Sequence, residues 1–409
     1  MFCKLSSCIF LLISLSAAGQ QFKYDKVLYK TVTPDELCAT LEKNKGYLLL
    51  DVRSSGEHYD TSQFTGLNIG HLKGAMNINV RELGGRLPEI ATYKHQPVFV
   101  YCSHSQRSRR ASKMLADSGF TNVYNINGGL TAFYYTNAKA NGCLPSLIET
   151  ADKYKIISAF DLCSKLVANS KDLFLLDVRT DSAFKHISTD TQDNAYGHIK
   201  NSVNIPLAQL ANKISEVPKN KDIIVIDLDG SDASKAAALL KTSGYEKVSM
   251  LIEGIDRLVN TDANDLPCKT SLYVSAAPYP IISSKEFGRM AIKNKDLVLL
   301  DIRDAAAFAN THKDLFRNVG HLKNAVNIPE AEIINRITDL EKYKNTDLII
   351  YSFGGGREAY DVASQLAARG FTKLNVLANG LFGIRWTAAN IKGQEYLNDF
   401  VKDVPELNR

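Results

Sequence analysis

Short, nearly unbroken apolar runs alternate with helix-spaced segments along most of the chain. YLLLDV (47–52) and PVFVYC (97–102) are continuous apolar stretches ending in polar positions, the pattern of strands buried on both faces. From Ser108, SRRASKMLADSGF places Ala111, Met114 and Leu115 on one helix face and stops at Gly119, and NVYNI then predicts a further strand ending in Asn127-Gly128-Gly129. Strand, loop, helix, strand predicts an α/β fold: a parallel sheet flanked by helices on both faces. In such sheets ligands sit at the carboxyl ends of the strands. Cys102 falls at that edge.

The pattern is written three times. VFVYCSHSQR, IIVIDLDGSD and LIIYSFGGGR align without gaps and make Cys102, Asp227 and Ser352 equivalent at a period of 125 residues. Each copy has an upstream acid-apolar-Arg element (LLDVR, LLDVR, LLDIR) followed by a Gly-His element (GHLKGAMNI, GHIKNSVNI, GHLKNAVNI). Such a period is that of a whole small domain, not of a solenoid unit. The expected organisation is domain 1 at 30–138, domain 2 at 152–262, domain 3 at 278–390, and a C-terminal tail at 391–409.

Residues 1–19 break this pattern. One Lys at position 4, an apolar core from Cys8 to Leu15 and the small residues Ala17 and Gly19 predict a signal peptide cleaved near Gly19. The chain is therefore expected to be exported, periplasmic or secreted. Leu5-Ser6-Ser7-Cys8 imitates a lipoprotein box, but there the apolar core precedes the cysteine and here it follows. No internal stretch is long enough to span a bilayer, so the mature chain is expected to carry no integral membrane segment. A net charge of +5 with no Lys/Arg run gives no basis for nucleic-acid binding.

Export changes the reading of the cysteines. Cys38 and Cys163 are equivalent in the repeat, as are Cys143 and Cys268, whereas domain 3 has Gly288 and Gly393 at those positions. Two positions kept together and lost together predict the disulfides Cys38–Cys143 and Cys163–Cys268, although four cysteines admit three complete pairings. Cys102 is left as the unpaired thiol.

The loop Cys102-Ser103-His104-Ser105-Gln106-Arg107-Ser108 joins a strand end to a helix start. Its backbone N–H groups and the helix N-terminus form a cradle for an anion, and a cysteine at its mouth becomes a nucleophile. Arg107, with Arg109 and Arg110 nearby, adds positive charge for an anionic substrate. No Cys-x-x-Cys or His-x-x-x-His spacing occurs, so no metal or cofactor is expected.

Taken in order, the DVR element, Glu57, GHLKGAMNI, the Cys-x-x-x-x-Arg-Ser loop and NGGLTAF resemble the rhodanese-like sulfurtransferases, over nearly all of residues 30–390 as three domains. The resemblance implies that Cys102 takes a sulfane sulfur from a small anionic donor (thiosulfate, polysulfide or persulfide), becomes a persulfide, and passes the sulfur to cyanide, a thiol or a protein acceptor. It implies Cys102 and Arg107 as catalytic, with Ser103, His104, Ser105, Gln106, Ser108 and Arg109 around the substrate. Cell-cycle tyrosine phosphatases share this kind of loop, but theirs is one residue longer and holds a tetrahedral phosphate. The remaining alternatives are a non-enzymatic scaffold and a thiol redox protein that forms mixed disulfides through Cys102.

Domains 2 and 3 depart from the pattern. Asp227-Leu228-Asp229-Gly230-Ser231-Asp232 has no nucleophilic cysteine and no arginine, and is expected to repel anions. Its likeness to the first motif of haloacid-dehalogenase phosphohydrolases lacks that family's later motifs, and a calcium loop would need a later glutamate. Ser352 cannot form a persulfide, though Gly354-Gly355-Gly356-Arg357 keeps a backbone able to cup an anion. His71, His198 and His321 recur even in the altered copies and are expected to be structural, as are Asp51/Arg53, Asp177/Arg179 and Asp301/Arg303. His104 occurs in the active-type loop alone. The long stretches before the Gly-His elements are expected to be either lids or surfaces that pack the domains together.

Overall fold

The computed structural model describes residues 28–135, 143–151 and 153–404. The signal peptide assigned to 1–19 lies outside the described residues. Three five-stranded sheets follow one another along the chain, and every pairing within them is parallel. In domain 1 the order is Lys30–Val32, Val123–Ile126, Val98–Tyr101, Leu48–Asp51, Met76–Asn77, and domains 2 and 3 repeat it. Leu48 pairs with Val98 and Asp51 with Tyr101, which aligns the ends of the DVR and cysteine strands. The strands Leu48–Asp51, Val98–Tyr101 and Val123–Ile126 are buried along their whole lengths, as continuous apolar runs require. No helix among the described residues is long and apolar enough to cross a membrane.

Three short antiparallel ladders have no signature in the hydrophobic pattern. His71–Leu72 pairs with Ile148–Glu149, His198–Ile199 with Tyr273–Val274, and His321–Leu322 with Val401–Lys402. The chain leaving each domain thus returns to its Gly-His strand, and residues 395–402 of the assigned tail pack on domain 3 in this way. The recurrent histidines sit in these ladders. His71 faces Glu149 at 3.6 Å and His321 faces Asp403 at 3.4 Å, while His198 shares a hydrogen bond with His186.

Cys38 is bonded to Cys143 and Cys163 to Cys268, each bond tying a first helix to the departing chain. Domain 3 fills the same place by packing. A Cβ on Gly288 would lie 2.6 Å from the Tyr396 hydroxyl and 2.7 Å from Leu397, so glycine there admits these two side chains instead of a bond.

The domains share hydrophobic cores, one continuous from domain 1 into domain 2 and another from domain 2 into domain 3. The long stretches before the Gly-His elements of domains 1 and 2 act as packing surfaces. Thr65 Oγ1 donates to the Ser231 carbonyl of domain 2 at 2.6 Å, and a Cβ on Gly66 would approach the Ser231 amide at 3.1 Å. Thr191 donates to Asp361 of domain 3 at 2.7 Å and Gln192 to the Gly355 carbonyl at 2.8 Å. In domain 3 Phe316 stands in the place of Gly66 and packs on Phe353 of its own loop, leaving Leu315 exposed.

Candidate active site

The loop of domain 1 runs from the end of Val98–Tyr101 to the helix Gln106–Asp117, and Ser105 makes the turn with φ 78°. Gly129 shapes it. A Cβ on Gly129 would fall 2.4 to 2.5 Å from the carbonyls of Ser103 and Cys102, so no larger residue fits. Those carbonyls instead accept from the amides of Leu130 (2.8 Å) and Thr131 (3.1 Å). With the carbonyls drawn outward, the amides of residues 103–108 donate no hydrogen bond to the protein among the described residues. This is an open nest of N–H groups at a helix N-terminus.

Cys102 lies at its base, 1% exposed and free of any disulfide, with Sγ 3.6 Å from Ser108 Oγ. Ser108 in turn donates to the Ser105 carbonyl at 3.1 Å. Arg107 forms a two-pronged pair with Glu57, both bonds 2.6 Å, and also donates to Ser103 Oγ at 2.9 Å. Burial opposes the charge on Glu57, but Arg107 outweighs it and holds the carboxyl below its ordinary range.

A sequence profile of the Rhodanese-like domain matches residues 33–136, 161–261 and 283–386. The chain belongs to the rhodanese-like family. It is 39% identical over 108 residues to the uncharacterized protein YqhL of Bacillus subtilis, spanning 26% of this chain and 75% of that one. It is 34% identical over 71 residues to the thiosulfate sulfurtransferase GlpE of Shewanella oneidensis, spanning 17% and 68%. A rhodanese-related protein of Thermoplasma volcanium aligns at 27% identity with a TM-score of 0.20, over 25% of this chain and 87% of that one.

Within this rhodanese-like chain the expected site residues divide. Cys102, Ser103, Ser105, Arg107 and Ser108 converge on the nest, and Gln106 is exposed at its rim. Arg109 turns away to Asn127 (3.1 Å) and to the Ala389 carbonyl of domain 3 (2.6 Å). His104 also points outward, with Nε2 2.9 Å from Glu253 of domain 2 and 3.3 Å from Thr131. Burial works against Glu253, yet Arg257 and His104 bring its carboxyl down to about 2.

Two residues of this arrangement escaped attention as site residues. Glu57 is matched by Ala183 and Ala307, so like Cys102 it is present in domain 1 alone, and that contrast was the available signal. Glu253 takes the place of Gly128 at a left-handed position, φ 55°, where a branched-off charge is a costly choice.

The loop of rhodanese-like domain 2 is filled by its own side chain. The Asp227 carboxylate accepts from the amides of Gly230 (2.7 Å), Asp232 (2.7 Å) and Ala233 (3.0 Å). The loop read as anion-repelling keeps the nest of amides, and its own carboxylate occupies it. Burial pushes the Asp227 carboxyl up to about 6 against the three amides that hold its charge. A folded-state value above the unfolded one contributes stability that is full below about pH 4 and is lost as the pH rises through about 6. Asp227→Ser is therefore expected to flatten the decline in domain 2 stability between about pH 4 and 7, measured by urea unfolding across that range. An unchanged slope would remove Asp227 as its source.

In domain 3, Ser352 Oγ donates to the Gly354 carbonyl at 2.9 Å. Arg357 swings out to Asp361 at 3.0 Å and is mostly exposed, so it does not face its loop as Arg107 does. No group of three or more metal-binding side chains occurs among the described residues.

Proposed function

We propose that the chain is an exported sulfurtransferase whose chemistry is confined to domain 1, with Cys102 as the persulfide carrier. One observation carries the reading: the same nest of amides is open above Cys102 and closed by a carboxylate in domain 2. An open nest beside a thiol is suited to a sulfur anion. The Cys102 thiolate attacks the outer sulfur of thiosulfate, the S–S bond breaks, and sulfite leaves with the bonding pair. The resulting Cys–S–S⁻ is held by the amides of residues 103–108. A thiolate or cyanide then attacks the terminal sulfur, returning Cys102 as thiolate and releasing a persulfide or thiocyanate. Arg107, held upright by Glu57 and Ser103, presents its charge to the incoming donor. Two disulfides fit an oxidising compartment.

The test is intact mass after incubation with thiosulfate and, separately, with a polysulfide. The expected result is a cyanide-reversible gain of one sulfur atom that Cys102→Ser abolishes. No gain from either donor, with a free Cys102 thiol confirmed by alkylation, would move the weight to a binding scaffold.

A further inference from the structure

We infer that Trp386 of domain 3 is a positioning residue for the Cys102 nest, so that the third domain completes the anion site of the first. The inference rests on the reading of that nest as the sulfur-handling site, and adds a part that domain 1 does not supply for itself.

A nest is open only when its carbonyls turn away from the centre that its amides face. The carbonyls of Cys102 and Ser103 are held in that way by the amides of Leu130 and Thr131, within domain 1. The next carbonyl, that of His104, accepts from no backbone amide among the described residues. Its donor is the Trp386 indole N–H, 282 residues away in the chain, at 3.2 Å.

Domain 3 shows the alternative. Gly354 is equivalent to His104, and its carbonyl accepts from Ser352 Oγ, at the position of Cys102. A carbonyl turned to the base of the loop takes the space and opposes the charge of an anion there. Trp386 keeps the His104 carbonyl out of that arrangement.

The joint around Trp386 is fixed from both sides. The helix Gly380–Asn390 ends there, and the last carbonyls of a helix have no partner within it. Arg109 donates to the Ala389 carbonyl and Asn127 to the Asn390 carbonyl, the latter at 3.0 Å. Asn127 Oδ1 in turn accepts from Arg109 at 3.1 Å and from Ser105 Oγ at 3.4 Å. Ser105 makes the turn of the nest at φ 78°, where domain 2 has Gly230. A residue other than glycine is strained in that conformation, and the joint with domain 3 reaches it through Asn127.

The test compares the rates at which iodoacetate and iodoacetamide alkylate Cys102 in the full chain, read by peptide mass. The reagents differ by a carboxylate, so their rate ratio, normalised to glutathione, reports anion binding by the nest and needs no sulfur transfer. The wild-type ratio is expected to exceed that of glutathione. Trp386→Phe, which keeps an aromatic ring and loses the N–H, is expected to lower it about fivefold, the weight of one neutral hydrogen bond. A purely structural loosening would speed both reagents alike and leave the ratio unchanged. Should Trp386→Phe fail to fold, as judged by urea unfolding, Asn127→Ala breaks the same joint from domain 1 and is expected to lower the ratio by a similar factor. A wild-type ratio no higher than that of glutathione, or a ratio indifferent to the folded variant, would overturn the role. A ratio that depends on Trp386 in a chain that gains no sulfur from either donor would support the positioning role and count against the sulfurtransferase reading alone.

Discussion

Removal of the Cys38–Cys143 bond, by the paired substitutions Cys38→Ser and Cys143→Ser, is expected to cost domain 1 about 4 to 5 kcal/mol. The two cysteines are 105 residues apart, so the bond closes almost the whole domain into one loop. Restricting the unfolded chain over about 100 residues is worth roughly 4.7 kcal/mol in the loop-entropy account, with measured effects ranging from about 0 to 5. Domain 2 has the same span between Cys163 and Cys268 and is expected to respond alike. Domain 3, with Tyr396 and Leu397 packed on Gly288 in place of a bond, provides the internal control. Urea unfolding with and without dithiothreitol checks this. Three domains need not unfold in one step, so the expected signature is a shift of the transitions of domains 1 and 2 to lower urea. If reduction moves domain 3 as much as the others, the bonds are not what separates them.

Asp51→Ala is expected to destabilise domain 1 by about 3 to 5 kcal/mol, the cost of leaving a buried charge unpaired. Arg53 is fully buried, and Asp51 accepts from its backbone amide, Nε and Nη2 at 2.7 to 3.1 Å. Burial alone would raise the Asp51 carboxyl, but His58 and Arg53 hold it at about 2, so it stays ionised throughout the working range of pH. Arg53 also donates to the Gly70 carbonyl at 2.7 Å, which joins the end of the DVR strand to the Gly-His element. Removing the acid strands the guanidinium; an Arg53→Leu, Asp51→Leu double variant is expected to recover much of the loss, because it removes both charges together. Asp301→Ala repeats the geometry in domain 3 and should cost a comparable amount. A loss below about 1 kcal/mol in chemical denaturation would show that the pair is not fully desolvated.

Much of this is legible in the sequence. Continuous apolar runs gave the parallel strands, because a strand covered on both faces has no polar side to alternate. The 125-residue period exposed the equivalence of Cys102, Asp227 and Ser352. The antiparallel ladders were not legible, since two-residue strands such as Ile148–Glu149 carry no periodicity. Nor were the contacts between domains, where side-chain direction decides the outcome. Arg107 and Arg109 are two positions apart on one helix and diverge, one to the nest and the other to domain 3. His104 lies within the active-type loop, yet its side chain meets a carboxylate 149 residues away.

The carboxylate in the nest of domain 2 is a ligand that never dissociates. Being covalently tethered, it competes at a local concentration that freely diffusing sulfur anions do not match. Raising the donor concentration therefore should not recruit that domain. The loop has no hole to fill: the residue equivalent to Cys102 occupies the nest with its own carboxylate.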